Sequence, residues 1–245
     1  PPRGGGLGLG RPGADAAPKT PAASPPRGGG LGLGRPGADA APRTPAATTL
    51  PLFPLRSVLF PGGLLRLKVF EARYLDLVSL CLREQRSFGV VALRRGAEAR
   101  APGEAEPVEF ESVGTLAELL DVDGAQPGIL NLRCRGTQRF EIGERAQQAD
   151  GLWVAQSTPL ADDDEVAPSV EMIETVRGLS GAMKALREQG AEPFLEPYRF
   201  EQAGWVANRW CEILPISLAA KQKLLELPDP LVRLKLVDEY LRGKG

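Results

Sequence analysis

The residues between positions 50 and 78 constrain the fold more than any other part of the chain. Two prolines interrupt the apolar run 50–55, which predicts a strand at a sheet edge or bend, because proline donates no backbone hydrogen bond. A Phe-Pro-Gly-Gly turn then precedes a second strand, 64–69, in which apolar residues alternate with an arginine and a lysine. From Phe70 onward the apolar spacing is that of a helix. The order strand, turn, strand, helix is therefore predicted at the start of the folded part.

Two motifs in this region, LPLFPLRSVLFPG (50–62) and VFEARYLDLV (69–78), resemble the start of the substrate-binding N-terminal domain of Lon protease and its stand-alone relatives. The resemblance covers about residues 49 to 243 and continues through FGVVAL, VGTLAEL, GTQRFEI and LPISLAAKQKLLEL. Family members usually carry proline at Ala72 and a Pro-Leu or similar pair at positions 64 and 65, and neither difference disturbs the expected fold. The resemblance implies a β pseudo-barrel like that of the PUA domain, which is an RNA-binding fold.

Composition and periodicity divide the chain into three parts, with an α+β fold class overall. Residues 1–48 are a tandem duplication of a 24-residue unit rich in glycine, proline and alanine. Its few leucines offer too little apolar surface for a core, which predicts a disordered tail. The alternative is a cationic, proline-rich arm that docks on a partner. Residues 49–161 are predicted to form the PUA-like barrel subdomain, and 166–245 a helical subdomain that packs as a bundle.

The predicted elements follow from alternation in the first subdomain and from helical spacing in the second. The predicted strands are 50–55, 64–69, 87–93, 112–122, 128–135, 138–144 and 152–159, and the predicted helices are 70–86, 169–189, 200–214, 217–226 and 230–242. Ser217 is predicted to cap the fourth helix, and Asp229 followed by a proline is predicted to start the last. In the last helix the predicted apolar stripe is Leu231, Leu234, Val237 and Leu241, while Arg233, Lys235 and Asp238 are predicted to face water.

Charge and cysteine content argue against several functional classes. Residues 1–48 carry six basic residues and two acids, which leaves 24 basic and 29 acidic residues beyond them. That acidic balance disfavours a general nucleic-acid binder. The cysteines, Cys81, Cys134 and Cys211, lack zinc-site or disulfide spacing and are predicted to be buried free thiols in a reducing compartment. With neither a membrane-length apolar run nor a signal peptide found, a cytoplasmic location is predicted.

The sequence predicts that the chain is not an enzyme. It contains no histidine, which removes the commonest general base and metal ligand. It has no GxxxxGK[ST] motif for an ATPase, and it ends before the Ser-Lys proteolytic domain of Lon could follow. We therefore predict no catalytic residue, no metal site and no cofactor.

Three groups of residues could still form a site, and each has a simpler structural interpretation. The acidic run at positions 162–165 could bind Ca²⁺ or Mg²⁺, but it lacks EF-hand spacing and is predicted to be a solvated linker. Glu71 and Arg73 could contact a ligand, but Glu71 is predicted to stabilise a helix dipole and Arg73 to pair with a sheet residue. Three tryptophans could line a groove between barrel and helices or could belong to the core: Trp153, Trp205 and Trp210.

The leading functional hypothesis is a non-enzymatic protein- or peptide-binding module for unfolded or extended segments, as the resemblance implies. Binding of this kind needs an apolar groove or an available sheet edge, and strand 50–55 and the barrel–helix junction are the predicted places. No individual binding residue and no oligomeric state is predicted. The alternative is an RNA-binding PUA-like protein, with a local basic patch formed by Arg133, Arg135, Arg139 and Arg145. A hydrolase of unknown type is a third possibility, with no assignable residues.

Overall fold

Six strands form a sheet that closes on itself. In the computed structural model, which describes residues 49–98 and 107–243, the strand order is β2-β5-β4-β3-β1-β6, and β6 also pairs with β5. This second pairing closes a five-stranded barrel and leaves β2 attached to its outside along β5. The strands are β1 Thr49–Leu55, β2 Leu64–Val69, β3 Phe88–Arg95, β4 Glu109–Gln126, β5 Ile129–Gln147 and β6 Trp153–Pro159. The predicted pseudo-barrel is confirmed, whereas the predicted tail at 1–48 lies outside the described residues.

The prediction that β1 lies at an edge is wrong. β1 pairs in parallel with β3 over positions 52–55 and antiparallel with β6 over positions 49–52. Pro51 therefore lies outside the β3 register, and Pro54 lies outside the β6 register. Each proline is therefore paired with a neighbouring strand on one side only. On its unpaired side the missing N–H removes no hydrogen bond from the ladder, so a strand with two prolines can run through the interior of the sheet.

The two strands predicted at 128–135 and 138–144 are one continuous strand, β5. Gly136, which lies between the two predicted strands, permits a close backbone approach, because a Cβ there would lie 2.3 Å from the Phe60 carbonyl oxygen. The first half of β5 pairs with β2 and the second half with β6. The length of β5 is what lets one strand join β2 to the closed barrel.

The helices follow the predicted order, and four of them are shorter than predicted, whereas the last has the predicted bounds. They are α1 Ala72–Glu84, α2 Ile173–Glu188, α3 Ala203–Ile213, α4 Leu218–Glu226 and α5 Pro230–Arg242, and a 3₁₀ turn, Val170–Met172, precedes α2. Both predicted caps are confirmed, since Ser217 Oγ accepts from the Ala220 N–H at 3.2 Å and Asp229 Oδ1 accepts from Leu231 N–H at 2.8 Å.

The predicted apolar stripe of α5 is confirmed, but two of its three predicted water-facing residues are buried. Leu234 and Val237 are buried and Lys235 is exposed, as expected. Arg233, however, is 1% exposed and Asp238 is 8% exposed. Asp238 accepts a hydrogen bond from Thr175 of α2 and pairs with Arg242. The burial of these charges indicates that α5 packs against the rest of the protein with its apolar face and also with part of its polar face.

Separate apolar clusters stabilise the barrel and the helices. α1 packs its buried face, including Tyr74 and Val78, into one end of the barrel. The helices bury a second cluster around Leu179, Val206 and Leu234. Phe60, from the turn that precedes β2, is fully buried in this helical cluster. The β1–β2 connection therefore inserts into the helical core and joins the two parts.

We predict that Gly114→Ala lowers the free energy of unfolding by about 1–3 kcal/mol, the usual cost of overpacking. A Cβ at Gly114 would lie 2.4 Å from the Val90 carbonyl oxygen and 2.7 Å from the Phe140 ring. The control is Gly181→Ala on exposed α2, where no atom lies within 4 Å of the new Cβ; it should leave stability unchanged or raise it by about 0.5–1 kcal/mol. Urea unfolding measures both variants, and equal midpoints would contradict the packing described for β4.

Candidate functional site

One carboxylate, Asp163, joins the barrel to the helices. Arg139 of β5 donates from Nη2 to Asp163 Oδ1 at 3.1 Å, and Arg233 of α5 donates from Nη2 to the same oxygen at 3.0 Å. A Cβ at Gly204 would lie 2.6 Å from Asp163 Oδ2, so only glycine at the start of α3 leaves room for this side chain. The prediction of a solvated linker is therefore wrong for Asp163, although Asp162 and Asp164 beside it are exposed.

The same two arginines satisfy the carbonyl groups at the C-terminal end of α4. Arg139 Nη1 donates to the Leu225 and Leu227 carbonyls at 3.0 and 2.8 Å, and Arg233 Nε donates to the Leu224 carbonyl at 3.0 Å. These carbonyls have no partner within the helix. Burial lowers the pKa of the Arg139 guanidinium, and the nearby Asp163 carboxylate opposes that shift. The network fixes β5, α4 and α5 around one buried group of charges.

A second ion pair lies beneath the turn that leads into β2. Arg209 of α3 is fully buried and donates from Nη2 to the Pro61 carbonyl at 2.9 Å and to Glu212 Oε1 at 2.6 Å. Burial raises the pKa of Glu212 to about 7, while Arg209 acts to lower it. A Cβ at Gly63 would lie 2.3 Å from Glu212 Oε1, so the carboxylate contacts the turn directly. This pair positions α3 against the first residues of β2.

A groove of about 320 Å³ opens at the junction between barrel and helices. Pro61, Gly62 and Arg135 line its barrel side, and Gln202 and Trp205 line its helical side. The groove is mixed in character, with apolar, amide and charged groups on its walls. A groove at this junction is thus present, as predicted.

Of the three tryptophans, only Trp205 lines the junction groove. Trp210 is buried and donates from Nε1 to the Thr175 carbonyl at 3.0 Å, which makes it a core residue. Trp153 packs edge-on against Phe110, with ring centroids 5.4 Å apart, in a separate cluster of the barrel. The core interpretation is confirmed for Trp210, and the groove interpretation holds for Trp205 alone.

The free sheet edge is on β2 and not on β1. One edge of β2 pairs with β5 along its whole length. In the described part of the chain, the other edge has a single bridge, the antiparallel pair Gly63 and Phe194. Backbone groups on that edge from Leu64 to Val69 therefore have no pairing strand among the residues described. Sequence reasoning missed this edge because the alternation in β2 does not distinguish an edge strand from an interior one.

Two cavities of about 430 and 320 Å³ follow this edge, and Arg66 lines both. We call them together the β2 groove. Its walls mix apolar and charged side chains. The apolar ones are Leu59, Phe194, Ile213 and Ile216 in the first cavity and Phe53, Leu55, Leu67 and Tyr74 in the second. The groove thus combines apolar side chains with an unpaired strand edge, the two features that recognition of an extended segment requires.

Glu71 and Arg73 pair with each other at the start of α1. Arg73 donates from Nη2 to Glu71 Oε2 at 2.7 Å and from Nη1 to the Gly151 carbonyl at 2.9 Å. Gly151 lies in the β5–β6 turn, so the predicted pairing of Arg73 with a sheet residue is wrong. The guanidinium also lies over the Tyr74 ring, 4.6 Å from its centroid. Through these contacts Arg73 connects the start of α1 to the β5–β6 turn of the barrel.

The four arginines proposed as a basic patch do not form one surface. Arg139 is 4% exposed because it belongs to the junction network. The Arg145 guanidinium lies over the Phe110 ring, 4.7 Å from its centroid. Arg133 and Arg135 stand opposite acidic residues of β4 in the sheet register. The predicted RNA-binding patch is therefore absent from this part of β5.

The three cysteines are buried and free, as predicted. Burial raises the pKa of all three thiols, and for Cys134 and Cys211 it reaches about 12. A thiol is nucleophilic only as thiolate, so these groups are unreactive at neutral pH.

Across residues 49–98 and 107–243, no group of three or more Cys, Asp or Glu side chains is arranged to hold a metal ion. No helix in the same ranges is long and apolar enough to cross a membrane.

Comparison with known proteins identifies the family. The family model of the ATP-dependent protease La (LON) substrate-binding domain matches residues 49–243. The chain belongs to the Lon substrate-binding domain family. A crystal structure of a Lon N-terminal domain protein from Xanthomonas campestris is similar, with 33% identity, a TM-score of 0.62 and coverage of 78% of this chain and 96% of that one. The N-terminal domain of Mycobacterium avium complex Lon protease shares the fold at 15% identity and a TM-score of 0.53, covering 79% of this chain and 97% of that one.

Curated members of the Lon family are also similar in sequence. The Lon protease of Anaeromyxobacter dehalogenans is 30% identical over 208 residues, which are 80% of this chain and 23% of that protein. Lon protease 2 of Myxococcus xanthus is 30% identical over 204 residues, or 80% of this chain and 24% of that protein. The chain thus spans about a quarter of the length of these relatives. The family model that matches it describes the substrate-binding part of Lon.

We predict that Asp163→Asn lowers the free energy of unfolding by about 3 kcal/mol, because it leaves two buried guanidinium groups without a carboxylate. The matched control is Asp164→Asn, one residue away and exposed, which should change stability by less than about 0.5 kcal/mol. Urea unfolding at pH 7 compares the two variants. Equal stability of D163N and D164N would contradict the role given to the junction network.

Glu212 should make stability depend on pH. Its folded-state pKa of about 7 lies above its ordinary 4.5, so the folded chain binds this proton more tightly than the unfolded chain. The resulting stabilisation is fully present below pH 4.5 and is lost as the pH rises to about 7. Relative to Glu212→Gln, the wild type should therefore lose on the order of 1–3 kcal/mol across this range. Urea unfolding at several pH values measures the difference, and parallel pH profiles would contradict the assignment.

Proposed function

We propose that this domain binds extended, unfolded segments of other proteins, and that a bound segment pairs as an additional strand with the outer edge of β2. The single observation that carries the proposal is this edge, which has no pairing strand beyond Gly63 in the described residues. In strand addition, main-chain hydrogen bonds supply the affinity and adjacent pockets supply selectivity. The family description of a substrate-binding domain supports the same role.

Strand addition also gives a physical reason for preferring unfolded partners. A folded protein already pairs its backbone groups and protects its own sheet edges. An unfolded segment offers free N–H and C=O groups along its whole length. The β2 groove adds apolar pockets on either side of Arg66, which suit side chains that a folded protein would bury. Selection for unfolded protein then follows from geometry, without recognition of one particular sequence.

We further propose that the domain binds without catalysis and works in a reducing compartment such as the cytoplasm. Support comes from the absence of histidine in the 245 residues and from the three thiols that burial keeps protonated. RNA binding is the weaker alternative. The arginines that would have formed its surface on β5 are divided between a buried network, an aromatic contact and acidic cross-strand neighbours.

The test measures binding of the full chain to a small disulfide-bonded protein that carries a fluorescent label, in two forms: native, and unfolded by reduction and alkylation. Fluorescence anisotropy should detect the unfolded form only, because only that form can supply a strand.

Competition with a short peptide, N-methylated on alternate residues, then tests the strand geometry. N-methylation in one register should abolish competition, and methylation in the other register should leave it intact, because successive residues direct their N–H groups to opposite sides of a strand.

The two methylated peptides have the same side chains and composition, so each is the control for the other. Loss of competition in both registers, or in neither, would contradict strand addition. Equal binding of native and unfolded protein would contradict the proposed preference for unfolded segments.

A further inference from the structure

We infer that the β2 groove is selective for acidic segments, in which Asp or Glu alternates with apolar residues. This inference rests on the proposed function, because it specifies the class of segment that the free edge of β2 takes. It is carried by the distribution of charge around the groove and by the cross-strand order of the sheet.

Four cations line the β2 groove, and none of them forms an ion pair among the described residues: Arg56, Arg66, Lys68 and Lys221. Among the described residues, the side chains of three of them donate only to backbone carbonyls, those of Gly96, Glu192 and Glu212. Lys68 is exposed on β2 itself, and its side chain makes no hydrogen bond in the same part of the chain.

Two of the three carboxylates that line the groove are paired with arginines. Glu71 pairs with Arg73 at 2.7 Å, and Glu212 pairs with Arg209 at 2.6 Å. Glu98 accepts from the backbone N–H of Arg56 and keeps its negative charge. Among the described residues the groove therefore presents four cations without an ion pair against one such carboxylate, and an acidic chain is the complementary partner.

The register of the sheet places this charge where an added strand would meet it. Arg66 stands opposite Arg133 of β5, and Arg133 stands opposite Asp121 of β4. Like charges directly opposite each other destabilise a strand pair, and opposite charges stabilise it. On this face of the sheet the acid of β4 stands opposite Arg133. Among the described residues, Arg66 forms no ion pair with an acid and donates to the Glu192 backbone carbonyl. A strand added beside β2 would supply that acid if its outward residues were Asp or Glu.

The opposite face of an added strand would meet apolar surface. Leu65 and Val69 of β2 are buried in the apolar cluster that contains α1, and Leu67 between them is only half-buried. Because side chains alternate along a strand, acidic residues beside Arg66 and Lys68 would place the intervening residues next to Leu67 and the apolar pockets. The complementary segment thus alternates acidic and apolar residues. A nucleic acid would satisfy the cations but would neither pair with the strand edge nor fill these pockets.

The experiment compares three capped heptapeptides in which leucine alternates with glutamate, glutamine or lysine. Affinity for the full chain is measured by competition against the labelled unfolded protein, at low and at high salt. The glutamate peptide should bind about tenfold more tightly than the glutamine peptide, since only glutamate can form cross-strand ion pairs with Arg66 and Lys68. The lysine peptide should bind most weakly, and high salt should reduce these differences.

Variants of the chain assign the effect to β2. The double variant R66Q/K68Q should bind all three peptides with similar affinity, and R66E/K68E should prefer the lysine peptide. The control with the same change of net charge is K184Q/K235Q, on exposed positions of α2 and α5, and it should keep the wild-type order. Thermal melts verify that each variant is folded.

The outcomes separate this inference from the proposed function. Equal affinity of the wild type for all three peptides would overturn acidic selectivity and leave strand addition standing. Binding of the unfolded protein that no peptide displaces would overturn strand addition at β2 and acidic selectivity with it. Displacement of the peptide by single-stranded RNA, with loss of that displacement in R66Q/K68Q, would overturn the inference in favour of a nucleic-acid site.

Discussion

The interaction on which the rest of the structure depends is the pairing of Asp163 with two buried arginines at the junction of barrel and helices. Removing charges from water is costly, and the cost is offset only when every polar group finds a partner. Here the two guanidinium groups share one carboxylate and also bond to the carbonyls at the end of α4, where the helix dipole is negative. The arrangement joins β5, the segment at Asp163, α4 and α5, so none of them can shift alone.

That network determines the shape of the candidate site. The helical wall of the β2 groove comes from the end of α3 and the start of α4, through Ile213, Ile216 and Lys221. α4 is held at its C-terminal end by Arg139 and Arg233, and α3 is held at the turn before β2 by Arg209. The groove therefore lies between elements whose separation is set by two groups of buried charges. This rigidity preorganises the edge of β2 for a partner strand.

Local signals in the sequence were sufficient to predict the helices and strands, but not to predict which of them pair or pack with one another. The caps at Ser217 and Asp229 and the strand 64–69 depend on residues within a few positions, and they were predicted correctly. The sequence did not predict the interior position of β1, the continuity of β5 or the burial of Arg233. Arg233 bonds to Asp163, 70 residues away, and only such a partner offsets the energetic cost of burying its charge. The resemblance in the first motifs indicated the family and the need for a sheet edge, whereas the strand that offers the edge emerges only from the topology.

The central claim, that unfolded protein pairs with the outer edge of β2, is tested most directly by amide hydrogen exchange. Exchange is measured along the whole chain with and without the reduced, alkylated protein bound. Strand addition predicts slower exchange for alternate amides between Leu64 and Val69, with little change around Trp205 in the junction groove. Protection around Trp205 together with unchanged exchange in β2 would contradict the account.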